Sequence, residues 1–293
     1  MPPQPAPWRA PFLSHLTHLP TPTLTLATLH PAAQNEGPPT PSLPCLPRAR
    51  TCVFRGLWAS LPSASSSPPK NPAPRNPPAF ESDLPVFTTD ARSDKLTEIF
   101  DSAAAGDVEA SGGTTGGGGP VEAVFWVEAV RTQWRVRGHA WVLAGDVDGG
   151  EGARRCGGVL LGRMRKTGEA GEGAEGEGAE GGGWSFGREV TGHFGALSPL
   201  MRGSFRGPPP GTPVAYHAGK GESVGQKVED LEDEGARRNF RVVVIVPDEV
   251  DQVDLSDELK PRRWLYVYRG AEGESKLPGG EVIGEWEKVE VWP

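Results

Sequence analysis

A chain of 293 residues with a formal charge of −8 is poorly suited to hold nucleic acid over its whole surface, because a polyanion meets a net negative field. Its 40 glycines and 31 prolines, against 36% hydrophobic residues, imply about 200 ordered residues in a single domain interrupted by insertions. Three cysteines, Cys45, Cys52 and Cys156, are too few and too unevenly spaced for a disulfide framework or a paired-spacing zinc site, and no apolar run approaches the roughly 20 residues that cross a bilayer. The expectation is a cytoplasmic protein with no nucleic-acid partner, no membrane partner and no metal.

Residues 7–19 place Trp8, Phe12, Leu16 and Leu19 at i, i+4, i+8 and i+11, an apolar stripe that predicts a short helix packed on a sheet. Residues 23–29 alternate Leu or Ala with Thr and read as a strand; 50–59 and 84–89 read as two more, separated by Pro- and Ser-rich loops. A helix follows over 94–104, entered through Ala91, Arg92 and Ser93. The Gly-rich tract 106–119 reads as a flexible insertion.

Residues 121–143, VEAVFWVEAVRTQWRVRGHAWVL, carry the clearest period-two pattern and predict two long antiparallel strands broken near 128–131. Ala123, Phe125 and Val127 share one face of the first strand, and Trp134, Val136, Ala140 and Val142 one face of the second. The opposite face, with Gln133, Arg135, Arg137 and His139, reads as one that meets water. Residues 144–183 read as a second disordered insertion, since its repeated GEGAE units cannot bury enough apolar surface to offset ordering entropy. A solvated spacer is the simpler role for it, and a docking site for a basic partner the sharper one.

Helices are expected over 184–194 and within the charged stretch 226–239, a stiff turn at 208–211, and a buried strand over 240–247. Residues 250–255 alternate again, 264–269 form a further strand, and 282–292 close the chain with Trp286 and Trp292. Without a regular βαβ rhythm, these elements argue for an antiparallel barrel or sandwich.

No G-x-G-x-x-G opens a helix after a strand, no P-loop lysine follows a Gly-rich turn, and no nucleophile elbow occurs. Cationic and hydroxyl residues do gather at strand ends: Arg50 and Arg55, then Thr88 and Thr89, then Arg92, Ser93 and Lys95 at a helix entrance. A phosphate dianion suits such a set, since free N–H groups and positive potential at the helix start add to charge-assisted hydrogen bonds. A solvated turn with a capping serine is the simpler reading of the local pattern alone.

The ordered succession ARTCVFR, PVFTTDARSDK, FWVEAVRTQWRVRG, LSPLMRGSF with PPPG, NFRVVVIVPDEVDQVDL, RRWLYVYR and VEVWP resembles the FMN-binding split-barrel family. Within it, the sequence is most similar to single-domain pyridoxamine 5'-phosphate oxidase-like flavoproteins. The resemblance implies a mainly β fold, a six-stranded antiparallel split barrel with flanking helices, and a homodimer that binds FMN between subunits as an oxidoreductase acting on an unknown small molecule. It implies FMN contacts from Arg50, Arg55, Thr88, Thr89, Arg92, Ser93, Lys95, Gln133 and Arg263, with Ser198, Arg202 and Ser204 near the pocket. Asp94 stands where the family's Arg-Lys pair has its first member, and Arg92 is the candidate replacement. Leu259 and Pro261 stand where true pyridoxamine phosphate oxidases carry a substrate-holding Arg-x-His, and Val253 where they carry a tryptophan. FMN binding is therefore expected without vitamin B6 oxidation; a non-catalytic flavin-sensing or phosphorylated-ligand module is the other reading.

Overall fold

The computed structural model describes residues 4–31, 45–61, 73, 75–103, 115–167, 183–215, 219, 221–271 and 273–293. After helix α1 (Arg9–Leu16) come strands β1 (Thr23–Pro31), β2 (Cys45–Leu57), β3 (Phe80–Ser82) and β4 (Pro85–Asp90), then helix α2 (Asp94–Asp101). Strands β5 (Gly116–Val127) and β6 (Thr132–Leu143) form the expected hairpin, joined by one 3-10 turn over Glu128–Val130 and by Arg131 in the left-handed region at φ 46°. Helix α3 (Gly150–Leu161), strand β7 (Met164–Lys166) and helices α4 (Phe186–Gly195), α5 (Pro199–Ser204) and α6 (Glu234–Asn239) precede β8 (Phe240–Asp254). Strands β9 (Arg262–Tyr268), β10 (Glu281–Ile283) and β11 (Trp286–Val291) end the chain.

All pairings are antiparallel, in the order β10-β11-β9-β8-β4-β2-β1-β5-β6, and β6 also pairs with β8. The hydrogen-bonded path β8-β4-β2-β1-β5-β6-β8 thus returns on itself as a ring of six strands. Strand β8 serves two sheets in succession. Its first residues pair with β4, as in Val242 opposite Thr88, and its last six pair with β9, as in Val253 opposite Arg263.

Alternation explains what each strand buries. Leu24, Leu26, Ala123, Phe125, Val127, Trp134, Val136, Ala140, Val142, Val243 and Ile245 point into the ring and form the first core. Residues 240–247 are apolar on both faces because Val242, Val244 and Val246 lie in a second core with Trp58, Trp141, Leu160, Phe194 and Phe205, beneath α3, α4 and α5. Helix α1 closes the ring at the hairpin-turn end: the Phe12 ring lies 5.0 Å from Phe125 and 5.5 Å from Trp134, and Trp8 lies 5.8 Å from Trp286, all edge-on. Helix α2 closes the other end with Leu96 and Ile99.

Four expectations differ from the outcome. Gly116, Gly117, Gly118 and Gly119, expected within a flexible insertion, open β5: Gly117 and Gly118 have φ of 104° and 98°, and a Cβ on Gly119 would sit 2.2 Å from the Ile99 carbonyl oxygen of α2. The tract is where a helix and a strand approach too closely for side chains. Within 144–183, residues 150–161 form α3 on the stripe Ala153, Cys156, Gly157 and Leu160, while the GEGAE repeats lie outside the described residues. Residues 240–247 and 250–255, read as separate strands, are one strand with a register shift opposite Arg137 and Gly138. The charged stretch 226–239 is helical only over Glu234–Asn239.

Candidate functional site

Strand β2, strand β4 and the start of α2 bring most of the expected cations and hydroxyls together. Lys95 donates to Thr89 Oγ1 at 2.9 Å, and that hydroxyl lies 3.1 Å from Ser93 Oγ. Ser93 occupies the N-cap of α2 in an extended conformation, but its hydroxyl donates to the Asp90 carbonyl at 2.7 Å and leaves the first helical N–H groups uncapped by a side chain. One strand over, Arg55 Nε reaches Thr88 Oγ1 at 3.4 Å and Arg55 Nη2 lies 3.6 Å from Met201 Sδ of α5.

Lys95 and Arg55 share an electrostatic condition. Burial pushes the pKa of each below its ordinary value, and neither has a carboxylate within ion-pair distance among the described residues. They are not one cluster: Thr88 and Thr89 alternate along β4, so Arg55 lies toward α5 and Lys95 at the uncapped start of α2, where the charges of Asp90 and Asp94 favour its protonated form. Burial pushes the Cys52 thiol pKa up against the charges of Lys95 and Arg50, which keeps it in the unreactive thiol form.

Arg50 and Arg92 are occupied differently. Arg50 donates to Thr28 Oγ1 and to Glu98 Oε2 of α2, while Thr28 donates to the same carboxylate oxygen at 2.5 Å and His30 Nδ1 lies 3.3 Å from Oε1. Burial would raise the Glu98 pKa, but the hydrogen bonds from Thr28 and Arg50 together with the Arg50 charge hold it below the ordinary value. Arg50 is thus neutralised within a buried network that ties β1, β2 and α2 together. Arg92 chelates both oxygens of Asp90, at 2.9 and 2.7 Å, and donates to the Gly207 and Phe205 carbonyls, which fastens the loop after α5 to the end of β4.

Gln133 and Arg263 stand elsewhere. They flank Val253 on adjacent strands, whereas Thr88 sits opposite Val242. Eleven residues of β8 separate those levels, roughly 36 Å of strand at about 3.3 Å per residue. Arg263 already holds both oxygens of the buried Asp251, at 3.1 and 2.8 Å, and Arg135 joins the same carboxylate. Arg137 bridges Glu122 and Glu249, and His139 meets Asp248 at 2.8 Å, so the outer face of β6 is a cross-strand ladder of charge pairs. Trp126, Leu259 and Trp292 are exposed around this end.

In α5, Ser198 caps the helix by accepting from the Met201 N–H and Ser204 donates to the Met201 carbonyl, so both have local structural roles. Arg202 is 4% exposed, lies 5.9 Å from the Phe194 ring, and has neither a carboxylate in ion-pair distance nor a partner for Nε among the described residues. Sequence reading did not find Glu98 or Asp251. Glu98 carries one usable signal, its place three residues after Lys95 and beside Ile99 on the buried side of α2.

Residues 5–144 match the profile of the pyridoxamine 5'-phosphate oxidase, FMN-binding domain, a span that includes Arg50 through Gln133 and stops short of Arg263. The chain is similar to the crystal structure of a pyridoxamine 5'-phosphate oxidase-related, FMN binding protein from Nostoc punctiforme PCC 73102, with a TM-score of 0.55 and 18% identity over 99% of this chain and 100% of that one. At this identity the likeness concerns the fold. PhzG from Burkholderia lata 383, in complex with tetrahydrophenazine-1-carboxylic acid, aligns over 97% of this chain and 89% of its own at a TM-score of 0.37 and 14% identity, too loosely to carry weight. No curated protein matches the sequence.

Proposed function

From the premise that residues 5–144 are an FMN-binding domain of the pyridoxamine 5'-phosphate oxidase family with FMN as its cofactor, we propose that this protein is an FMN-dependent oxidoreductase that does not oxidise vitamin B6. The carrying observation is that Lys95, at the start of α2, and Arg55, one strand over, are both desolvated cations that hydrogen-bond to the β4 hydroxyls and have no carboxylate in ion-pair distance among the described residues. A phosphate dianion would supply the missing charge, and the hydroxyls of Thr88, Thr89 and Ser93 with the free N–H groups of α2 suit its oxygens. Bound FMN supplies hydride or electron transfer at its isoalloxazine ring.

The chain's own residues bind and orient. Lys95 and Arg55 hold the phosphate; Arg50, neutralised by Glu98, fixes the relation of β2 to α2 and acts as a positioning residue. Arg92 keeps the loop after α5 against β4. Gln133 and Arg263 lie eleven residues further along β8 than Thr88, a separation that favours a homodimer whose second copy contributes them. Leu259 and Pro261 replace the Arg-x-His pair, and Leu259 is 92% exposed in the turn before β9, so nothing at those positions holds a pyridoxine phosphate.

Titration of FMN and riboflavin against the wild type and against Lys95→Ala and Arg55→Ala tests the assignment. Each substitution is expected to weaken FMN by roughly tenfold to a hundredfold and riboflavin hardly at all, since only FMN carries the phosphate. Equal losses for both ligands would remove the two residues from the phosphate site. Protein that binds FMN yet leaves it oxidised with NADH, NADPH and pyridoxine phosphate under anaerobic conditions would instead be a flavin carrier or sensor.

A further inference from the structure

Helix α1 is tied at its start by Arg9 to Asp83 at 3.1 Å and Glu81 at 3.7 Å, and it seals its end of the ring with apolar groups and a hydrogen bond between His15 and the ring wall. Trp134 is wholly buried, and its indole Nε1–H donates at 3.2 Å to Nδ1 of His15, with the two rings edge-on at 5.7 Å. An indole N–H can only donate, and an imidazole nitrogen accepts only while it carries no proton. His15 in this pose is therefore neutral, with its proton on Nε2. A proton on Nδ1 would set two N–H groups against each other and leave the only polar atom of the Trp134 side chain buried without a partner.

The groups that face His15 pull in both directions. Burial lowers its pKa, Asp254 at the end of β8 favours the protonated ring, and His18 on the same segment opposes it; burial prevails and the pKa falls below the ordinary histidine value. Strand β6 presents the uncharged Trp134.

We propose that His15 makes α1 a proton-controlled plug in the mouth of the six-stranded ring, seated while the imidazole is neutral and loosened as it takes up a proton. Unseating would uncover Phe54, Phe125 and Trp134, against which Phe12 packs. It would also free the inner side of the wall that carries Gln133, the residue before Trp134, and Val253, the residue before Asp254. The direction follows from linkage. His15 binds a proton more readily when α1 is free than when it is seated, so seating is fully favoured above about pH 6.5. It weakens as pH falls from there toward the lowered value of the seated ring.

Hydrogen exchange of residues 9–19 in the full-length protein at pH 8 and pH 5, corrected for the intrinsic rate, reads the plug directly. Protection in the wild type is expected to drop about tenfold or more between the two, the scale of one unsatisfied buried donor. His15→Gln offers Trp134 an acceptor oxygen that does not titrate in this range, and its profile should be flat. A wild type whose protection is unchanged, or a His15→Gln protein with the same fall, overturns the proposal. If His15→Gln does not fold, nitrogen-15 spectra of the wild type decide: the His15 Nδ1 and Trp134 Nε1 signals must move with one midpoint, and a Trp134 signal indifferent to His15 titration overturns it. His193, buried and pushed down to about 3, titrates outside this window and is the internal control.

Discussion

At the scale of single residues, the site separates cations that already have an anion from cations that do not. Arg50 has Glu98, and the depressed pKa of that carboxyl means that its contribution is present above the ordinary carboxylate value and is lost as pH falls through the folded-state value. Arg50→Ala strands a buried carboxylate and should cost about 3 kcal/mol in urea denaturation at pH 7, with the deficit shrinking markedly by pH 3. Arg202 is the opposite case, a buried guanidinium without a described counter-charge. Arg202→Met is expected to leave stability unchanged or raise it by about 1 kcal/mol in phosphate-free buffer, read as a thermal midpoint, while any stabilisation by added inorganic phosphate shrinks relative to the wild type. The sequence showed the hydroxyl and cationic character of positions 88–95, because strand-end and helix-entry residues are local features. It hid which arginines were already neutralised, since Glu98 and Asp251 reach Arg50 and Arg263 only across elements.

Among elements, the β5–β6 hairpin was legible almost residue by residue, because strict alternation makes one side of each strand inward and a slip by one residue would reverse every side chain. Helix α3 was not. Its glycines and arginines, GEGARRCGGVLL, dilute the apolar stripe, and it becomes helical where Cys156 and Leu160 find the second core. The joint between β6 and β8 depends on a glycine for a reason no composition reveals: a Cβ on Gly138 would meet the Val246 carbonyl oxygen at 2.0 Å. Gly138→Ala should therefore destabilise by about 2 kcal/mol or more, with a lower denaturant midpoint and an unchanged slope.

For the molecule as a whole, the six-stranded ring and its flanking helices were expected from the order of motifs, but the separation of the two residue groups was not. Order along a chain says nothing about distance along β8. If one flavin site draws Lys95 from one copy and Gln133 from another, mixed dimers of Lys95→Ala and Gln133→Leu chains contain one intact site and one doubly altered site. Refolding the two variants together should restore about a quarter of the wild-type FMN capacity at a wild-type affinity that neither variant alone displays, measured by flavin fluorescence. Mixtures that never exceed the average of the two parents would place both residues in sites made by a single chain.

The ring also closes late in the chain. Its last seam joins Leu143 to Val242, so everything from 144 to 239 is a loop whose ends β6 and β8 must bring together during folding. The entropy of such a closure grows only with the logarithm of loop length, about 0.6 kcal/mol for each doubling. Removing the repeats within 168–182 should accordingly shift stability by less than about 1 kcal/mol. Long connections are cheap at this seam, and the chain can lengthen or shorten between α3 and α4 while the barrel around it stays the same.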